Sequence, residues 1–280
     1  MLAVAISAIS AAAVLVRLAP QVPAPTVAFW RCLGVALLLS PTIRRVRGRD
    51  LALTAFAGLA LALHFWTWFE SLHHTTVLRS TVLVCLSPAW TALLEWAFLG
   101  RRPTARYAAG VAAALAGVGL MALGAPAEGV GASWAGDGLA VLGGLLAGIY
   151  MVTGRAVRPR VGIGPYGALV SGSAAAWLLP VVLLLPWVQG SPVPLLGWDG
   201  RTWLVLAALS AGPQLLGHVG LNFAMRYLPA AVVALVVLLE PVGAALLGGL
   251  VLHEWPGPVE WASAAVVLGG VALATGRARR

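Results

Sequence analysis

The sequence predicts an all-α integral membrane protein with ten transmembrane helices, arranged as two inverted five-helix repeats. Three observations predict this fold class: the composition, an internal repeat and the placement of arginine. Of the 280 residues, 60% are hydrophobic and only 10% are charged, whereas soluble domains average about 25% charged residues. This composition leaves too little polar surface to solvate a globular protein, so we expect the lipid bilayer to be its main partner.

The internal repeat lies within the apolar segments. Pro88 and Pro103 recur 153 residues later as Pro241 and Pro256 without a gap, and many small and apolar residues around them recur at the same offset. A repeat inside apolar segments predicts a duplicated membrane unit with a binding site between the copies. We expect the first repeat to cover residues 1–125 and the second to cover residues 126–280.

The apolar segments give the number of helices. A spanning helix needs about 20 mostly apolar residues, and charged or Pro/Gly-rich breaks separate ten candidates. In chain order these are spans 1 to 10, at about residues 2–18, 26–42, 51–71, 76–99, 104–123, 136–155, 165–187, 201–222, 229–252 and 257–276.

The arginines indicate the orientation of these spans. Clusters of arginine follow spans 2, 4, 6 and 10, and Arg226 follows span 8, so all of them lie on one side of a ten-span bundle. The opposite loops carry most of the acidic residues, together with Arg17, Arg79 and Arg201. By the positive-inside rule, both termini are expected in the cytoplasm. Because each repeat has five spans, an odd number, the second repeat is inverted relative to the first.

The net charge of +9 does not predict nucleic-acid binding. The basic residues are all arginine, and they lie in short clusters between apolar runs instead of covering one face. Cys32 and Cys85 fall within apolar stretches, where we expect small buried side chains and no disulfide.

Several short motifs, taken in order, resemble one family. They are Val16-Arg17-Leu18-Ala19, Ala28-Phe29-Trp30-Arg31, Leu86-Ser87-Pro88, Leu239-Glu240-Pro241-Val242, Leu252-His253-Glu254 and Gly269-Gly270-Val271. With the ten spans, this series resembles the EamA-type transporters of the drug/metabolite transporter superfamily. The resemblance implies export of small metabolites such as amino acids across the bacterial inner membrane. It also implies a central cavity lined by spans 3, 4, 8 and 9.

A stripe of polar residues marks span 8. Ser210, Gln214, His218 and Asn222 recur at every fourth position, which places them on one face of an α-helix. We predict that Gln214, His218 and Asn222 line the substrate cavity. The alternative is that they form hydrogen bonds between helices and hold the bundle together.

The first repeat offers a weaker counterpart of this stripe. His64 and Trp68 share a face of span 3, and Trp90 lies in span 4; we predict that all three contribute to the cavity wall. His64 and His218 could titrate near neutral pH and couple protons to transport. The alternative is that both are neutral and hydrogen-bonded.

The two repeated prolines and the acidic residue beside one of them complete the candidate site. Pro88 and Pro241 each remove a backbone hydrogen bond, so they are predicted hinges, the alternative being static bends. Glu240 is predicted to line the cavity, where it could neutralise a cationic group or carry a proton. For Arg31 in span 2 we expect the side chain to extend to the outer surface; the alternatives are that it anchors a substrate carboxylate or pairs with a glutamate.

The predicted function is that of a secondary-active or facilitative transporter, not an enzyme. We expect it to export a small metabolite by alternating access, with no cofactor and with protons as the candidate coupling ion. The sequence contains no nucleotide-binding loop, and Glu70, His73 and His74 have no second cluster that would complete a metal site. The alternatives are a flippase for a lipid-linked substrate of the same superfamily and a membrane-embedded enzyme. A monomer is compatible with this arrangement.

Overall fold

The computed structural model describes residues 2–43, 46–99, 104–123, 133–189, 195–224, 237 and 239–275. These residues form helices joined by turns, in the order predicted for the ten spans. The helices are Leu2–Arg17, Ala24–Leu39, Gly48–Ser71, Val77–Val84, Ser87–Leu99, Ala105–Leu123, Trp134–Val157, Ile163–Gln189, Gly200–Leu209, a π-helix at Ser210–Val219, Gly220–Ala224, Glu240–Leu252 and Pro258–Thr275, with a 3-10 turn at Ser40–Thr42.

Spans 4, 8 and 9 differ from single α-helices. Span 4 consists of two helices that meet at Cys85 and Leu86, and span 8 passes from an α-helix through the π-helix into a further short α-helix. Span 9 is described as a helix from Glu240 onward, and the first part of its predicted range lies outside the described residues.

Side-chain caps begin several of the helices. The hydroxyls of Thr76 and Ser133 accept hydrogen bonds from the backbone N–H groups of Arg79 and Gly136, and the carboxylate of Asp199 accepts one from Thr202. Each of these bonds satisfies an N–H group that has no partner within the helix. The polar residues that separate the apolar runs therefore also define where the helices start.

The outer surface of the bundle is apolar. Four helices in the described ranges are long and apolar enough to cross a membrane, by length and composition: Ala24–Thr42, Gly48–Ser71, Trp134–Val157 and Ile163–Leu184. Large side chains such as Leu37, Leu204 and Leu250 point outward and are more than half exposed. Such a surface is compatible with lipid, where the backbone polar groups must be satisfied within helices.

The helices pack with the symmetry of an inverted repeat. Span 3 packs against span 6, and span 8, its equivalent in the second repeat, packs against span 1. Span 3 also packs against span 7, and the equivalent pair is spans 8 and 2. Span 4 packs against span 6, and the equivalent pair is spans 9 and 1. Spans 2 and 7 pack together, as do spans 5 and 10. The repeat found in the sequence is therefore also a repeat of packing.

Spans 5 and 10 cross at two equivalent points. A Cβ atom added at Gly110 would lie 2.5 Å from the carbonyl oxygen of Gly270, and one added at Gly117 would lie 3.1 Å from that of Ser263. At the repeat offset of 153 residues, Gly110 is equivalent to Ser263 and Gly117 is equivalent to Gly270. The two contacts are therefore exchanged by the pseudo-twofold axis, which passes between these helices. Close backbone approach at small residues is typical of membrane helices.

Candidate functional site

Among the described residues, the most deeply buried cationic side chain within the membrane-spanning helices is Arg31 of span 2. Its exposed fraction is 0%, and its Nε–H group donates a hydrogen bond of 2.9 Å to Oε1 of Gln214 in span 8. The expectation that Arg31 extends to the outer surface is wrong. The side chain turns into the bundle because an acceptor on the other repeat and a nearby aromatic ring offer it a better environment than the apolar surface of the helix.

Two phenylalanines of span 3 contact the guanidinium group of Arg31. Its central carbon lies 4.2 Å from the ring centroid of Phe65 and 5.5 Å from that of Phe69. The two rings are stacked on each other with their centroids 5.5 Å apart. A cation over an aromatic face is attracted by the quadrupole of the ring, and this attraction is strongest where water is excluded.

His64 and Trp68 lie beside these rings, on the face of span 3 that the sequence predicts. The Nδ1–H group of His64 donates to the carbonyl oxygen of Gly143 in span 6, at 2.8 Å. Because a carbonyl can only accept, this bond places the proton of neutral His64 on Nδ1. The imidazole stacks on the Trp68 indole with centroids 5.8 Å apart. Both residues are buried, and Trp68 belongs to the main apolar core.

Three polar residues of span 8, Ser210, Gln214 and His218, lie on its π-helical stretch. Pro213 lies within this stretch and has no N–H group to donate, so a regular α-helix cannot continue through it. Gln214 reaches Arg31, and the imidazole of His218 makes an edge contact with the Phe65 ring, with centroids 6.1 Å apart. π-Helical turns are rare and are frequent at functional sites.

Among the described residues, Glu240 is the acidic residue whose charge interacts with that of Arg31. The charges of Glu240 and Arg31 are close enough to interact, although neither terminal nitrogen of Arg31 forms a hydrogen bond. The backbone carbonyl of Glu240 accepts a hydrogen bond of 3.3 Å from Ser10 in span 1. Glu240 begins the helix of span 9 in which Pro241 is the second residue.

The structure therefore brings together His64, Trp68, Gln214 and His218, and it places Glu240 within electrostatic range. Trp90 packs elsewhere, against the smaller core cluster formed by spans 4, 5, 9 and 10. The side chain of Asn222 lies outside the described residues, so its predicted place in the cavity stays a prediction. We name the group formed by Arg31, His64, Phe65, Gln214, His218 and Glu240 the polar cluster.

Both predicted hinges lie at the start of a helix. Pro88 is the second residue of Ser87–Leu99, directly after the interruption of span 4, and Pro241 has the same position in Glu240–Leu252. Ser87 and Glu240 are equivalent in the repeat, so the helices begin at matching points. A proline is well tolerated in the first turn of a helix, where its missing N–H group is not needed. Movement about these points stays a prediction.

Ion pairs join the two repeats at both ends of the bundle. At one end, here called the Arg17 end, Arg17 pairs with Glu254 and the buried Arg79 pairs with Asp137. At the other, the Asp50 end, Arg160 pairs with Asp50 at 2.6 Å. The ten-span arrangement predicts that the members of each pair share one side, and the contacts agree with it.

These features define a class of protein: a membrane carrier of two inverted repeats with a polar site between them. The model of the EamA-like transporter family matches residues 1–123 and again residues 134–276. The chain belongs to the EamA-like transporter family and is therefore a membrane transporter of the drug/metabolite superfamily. The predictions of fold class and family are confirmed.

The fold also occurs in a protein of known structure. One crystal structure matches with a TM-score of 0.68 over 98% of this chain and 94% of the other, at 20% sequence identity. This likeness concerns the fold alone. No protein of curated function matches the chain.

Proposed function

We propose that this transporter exports a small polar or amphipathic metabolite across the bacterial inner membrane, with amino acids and similar solutes as the first candidates. The polar cluster carries this proposal. It takes Arg31 and His64 from the first repeat and Gln214, His218 and Glu240 from the second. Ionisable groups within the bilayer are costly and usually face a cavity or a functional partner, and a site between inverted repeats is where carriers bind their substrates.

The proposed mechanism is alternating access. The pairs Arg17–Glu254 and Arg79–Asp137 close the Arg17 end, and the pair Asp50–Arg160 joins the repeats at the other end. For the substrate site to open to either side, the pairs at that end must separate. The helices that begin at Ser87 and Glu240, with Pro88 and Pro241 as their second residues, are the proposed moving elements. A helix interruption absorbs a change of angle more easily than a continuous helix.

The proposed topology has repeats at residues 1–125 and 126–280 and both termini in the cytoplasm. The arginine clusters support it, because they fall on the side that includes the Asp50 end. Since one chain carries both repeats, a monomer suffices for the mechanism.

Transport is tested in proteoliposomes loaded with labelled amino acids, sugars or cationic drugs. We expect flux of at least one solute, and a reduction of roughly tenfold or more in variants His218→Ala and Asn222→Ala, as the loss of one good hydrogen bond to a polar solute predicts. Leu204→Ala, on the lipid-facing surface, is the control. Unchanged flux in both polar variants would mean that these residues only hold helices together.

Proton coupling through His64, His218 and Glu240 is tested with the same vesicles. We expect an imposed pH gradient to change the flux of the wild type, and we expect Glu240→Gln to reduce that response. Flux that is indifferent to the gradient would instead indicate facilitated diffusion.

A further inference from the structure

The guanidinium group of Arg31 uses only part of its hydrogen-bonding capacity. Nε–H donates to Gln214, whereas Nη1 and Nη2 are both buried and have no hydrogen-bond partner. A buried charged donor without an acceptor is strongly unfavourable, so an unpaired group of this kind requires an explanation. These two nitrogens are therefore free to bind an acceptor from outside the protein.

Glu240 balances the charge of Arg31 without serving as that acceptor. The two charges are close enough to interact, yet the terminal nitrogens do not bond to the carboxylate. A glutamate whose only task was to neutralise the arginine would be expected to form the direct bidentate pair, which is the strongest arrangement for these two groups. The terminal nitrogens of Arg31 therefore remain available to another acceptor.

We propose that Nη1 and Nη2 of Arg31 bind the carboxylate of the transported solute and that Glu240 faces its cationic group. This inference rests on the proposed function and names the substrate class: a zwitterion that carries a carboxylate.

The geometry of Arg31 favours a carboxylate. With Nε bonded to Gln214 and Phe65 against one face of the group at 4.2 Å, the free edge is the parallel pair Nη1–H and Nη2–H. This edge matches the two oxygens of a carboxylate in a planar, bidentate arrangement. Lysine, a point charge, would not offer that match.

The charge balance favours a zwitterion over a simple anion. When Glu240 is ionised, Arg31 and Glu240 together carry no net charge, and an added zwitterion then keeps the site neutral. A bare anion, or a phosphate with two charges, would leave uncompensated negative charge in a region of low dielectric, where it is costly. The order of preference is therefore zwitterion, then monoanion, then dianion.

The test compares amino acids with their amides. The purified chain in detergent is titrated with each of the twenty amino acids, and the best ligand is compared with its amide, which lacks the carboxylate, and with its des-amino acid, which lacks the ammonium group. Binding is measured by calorimetry, and flux of the same compounds is measured in proteoliposomes. We expect the amide to bind roughly 10- to 100-fold more weakly than the amino acid, as the loss of a charge-assisted bidentate pair predicts.

Variants then test whether Arg31 causes the preference for the amino acid over its amide. In Arg31→Met combined with Glu240→Gln, which keeps the site neutral, the ratio of acid to amide affinity should fall to about one. Gln214→Glu keeps Arg31 but gives it a permanent carboxylate partner, so it should reduce the same ratio if the double variant does not fold. Leu204→Ala, on the lipid-facing surface and outside both the polar cluster and the ion pairs, is expected to leave the ratio unchanged.

Each outcome separates the two proposals. Equal binding of acid and amide by the wild type, or an unchanged ratio in both Arg31→Met/Glu240→Gln and Gln214→Glu, would overturn the role of Arg31. Binding that depends on Arg31 without flux would support that role and overturn transport. Flux of a solute without a carboxylate, with no binding of any amino acid, would support transport and overturn the substrate class.

Discussion

At the scale of single residues, the burial of Arg31 is the main departure from what the sequence suggests. An arginine one turn inside a span normally extends to the membrane surface, because its long apolar stem allows this. The two partners that hold Arg31 inside the bundle are distant in the sequence. Gln214 lies 183 positions away, and Phe65 lies on another helix. The spacing of residues can assign a side chain to a helix face, but it cannot identify a partner on a helix whose packing is unknown.

Four other residues of the candidate site were more predictable. His64, Trp68, Gln214 and His218 follow helical spacing, so a shared face could be predicted from the sequence alone. Trp90 also lies on a predicted span but packs into a second apolar cluster. The indole ring can serve as core or as cavity wall, and the sequence has no feature that distinguishes these roles.

Asp199 gives a prediction about pH at this scale. Hydrogen bonds from the side chain and backbone of Thr202 hold the pKa of this exposed carboxyl below its ordinary value of 3.8. Because the folded-state pKa is lowered, the cap stabilises the protein above pH 3.8 and its contribution is lost as the pH falls through the lowered value. Asparagine caps a helix without titrating. In Asp199→Asn we therefore expect the melting temperature to fall less than in the wild type between about pH 5 and about pH 3, roughly the range in which Asp titrates.

The measurement is thermal unfolding in detergent. Asp199→Ala should melt at a lower temperature than the wild type at pH 7, because the N–H group of Thr202 loses its acceptor. An acid dependence that is identical in the wild type and in Asp199→Asn would contradict the role assigned to this cap.

At the scale of helices, the crossing of spans 5 and 10 depends on the absence of side chains. Replacing Gly110 with alanine would put its Cβ 2.5 Å from the carbonyl oxygen of Gly270, and backbone cannot move aside as a flexible side chain can. We expect Gly110→Ala to destabilise the protein by about 1–3 kcal/mol, the usual range for overpacking.

Gly119, in the same helix, is the matched control for Gly110. A Cβ added there meets nothing within 4 Å. Gly119→Ala is therefore expected to be neutral or to stabilise the helix by up to about 1 kcal/mol, because alanine is the better helix former. Only Gly110→Ala should lower the melting temperature, and equal shifts in the two variants would contradict the close crossing.

The π-helix of span 8 also belongs to this scale, and the sequence contained a signal for it. Pro213 lies within a continuous apolar segment, and proline inside a helix marks a kink or an irregular turn. The equivalent position in span 3 is Ala60, and Gly48–Ser71 is a continuous helix. Span count and boundaries could therefore be predicted from hydropathy, whereas the form of the irregularity depends on what packs around it.

At the scale of the whole molecule, the pair Arg17–Glu254 predicts a change in conformation. Both side chains are about a quarter exposed, so breaking the pair should cost about 1 kcal/mol or less. We expect Glu254→Gln to shift the population of carriers that are open at the Arg17 end by up to about fivefold. Labelling of Ser80→Cys by a membrane-impermeant maleimide, applied from the outside, measures this population.

Asp50→Asn is the control for Glu254→Gln and should have the opposite effect. It weakens the Asp50–Arg160 pair at the Asp50 end, so it should lower the labelling of Ser80→Cys. Cys32 and Cys85 are both buried, and the unsubstituted chain gives the background. Labelling that rises in both variants would indicate general loosening and not a shift between two states.

The topology is a separate prediction at this scale. Cysteines at positions 45 and 158 should both react from the cytoplasmic side, and a cysteine at position 255 should react from the outside. Impermeant labelling of whole cells and of inverted vesicles measures this. Positions 45 and 158 reacting from opposite sides would exclude the ten-span arrangement.

The packing of each repeat mainly against the other has a consequence for how the chain is made. The ribosome completes spans 1 to 5 before spans 6 to 10 exist, so the early helices must reside in the bilayer as separately inserted segments, without most of their final neighbours. Biogenesis should therefore occur in two phases, insertion first and assembly later. Separately expressed halves, cut within residues 124–132, should recombine into one complex during co-expression, while either half alone should be degraded.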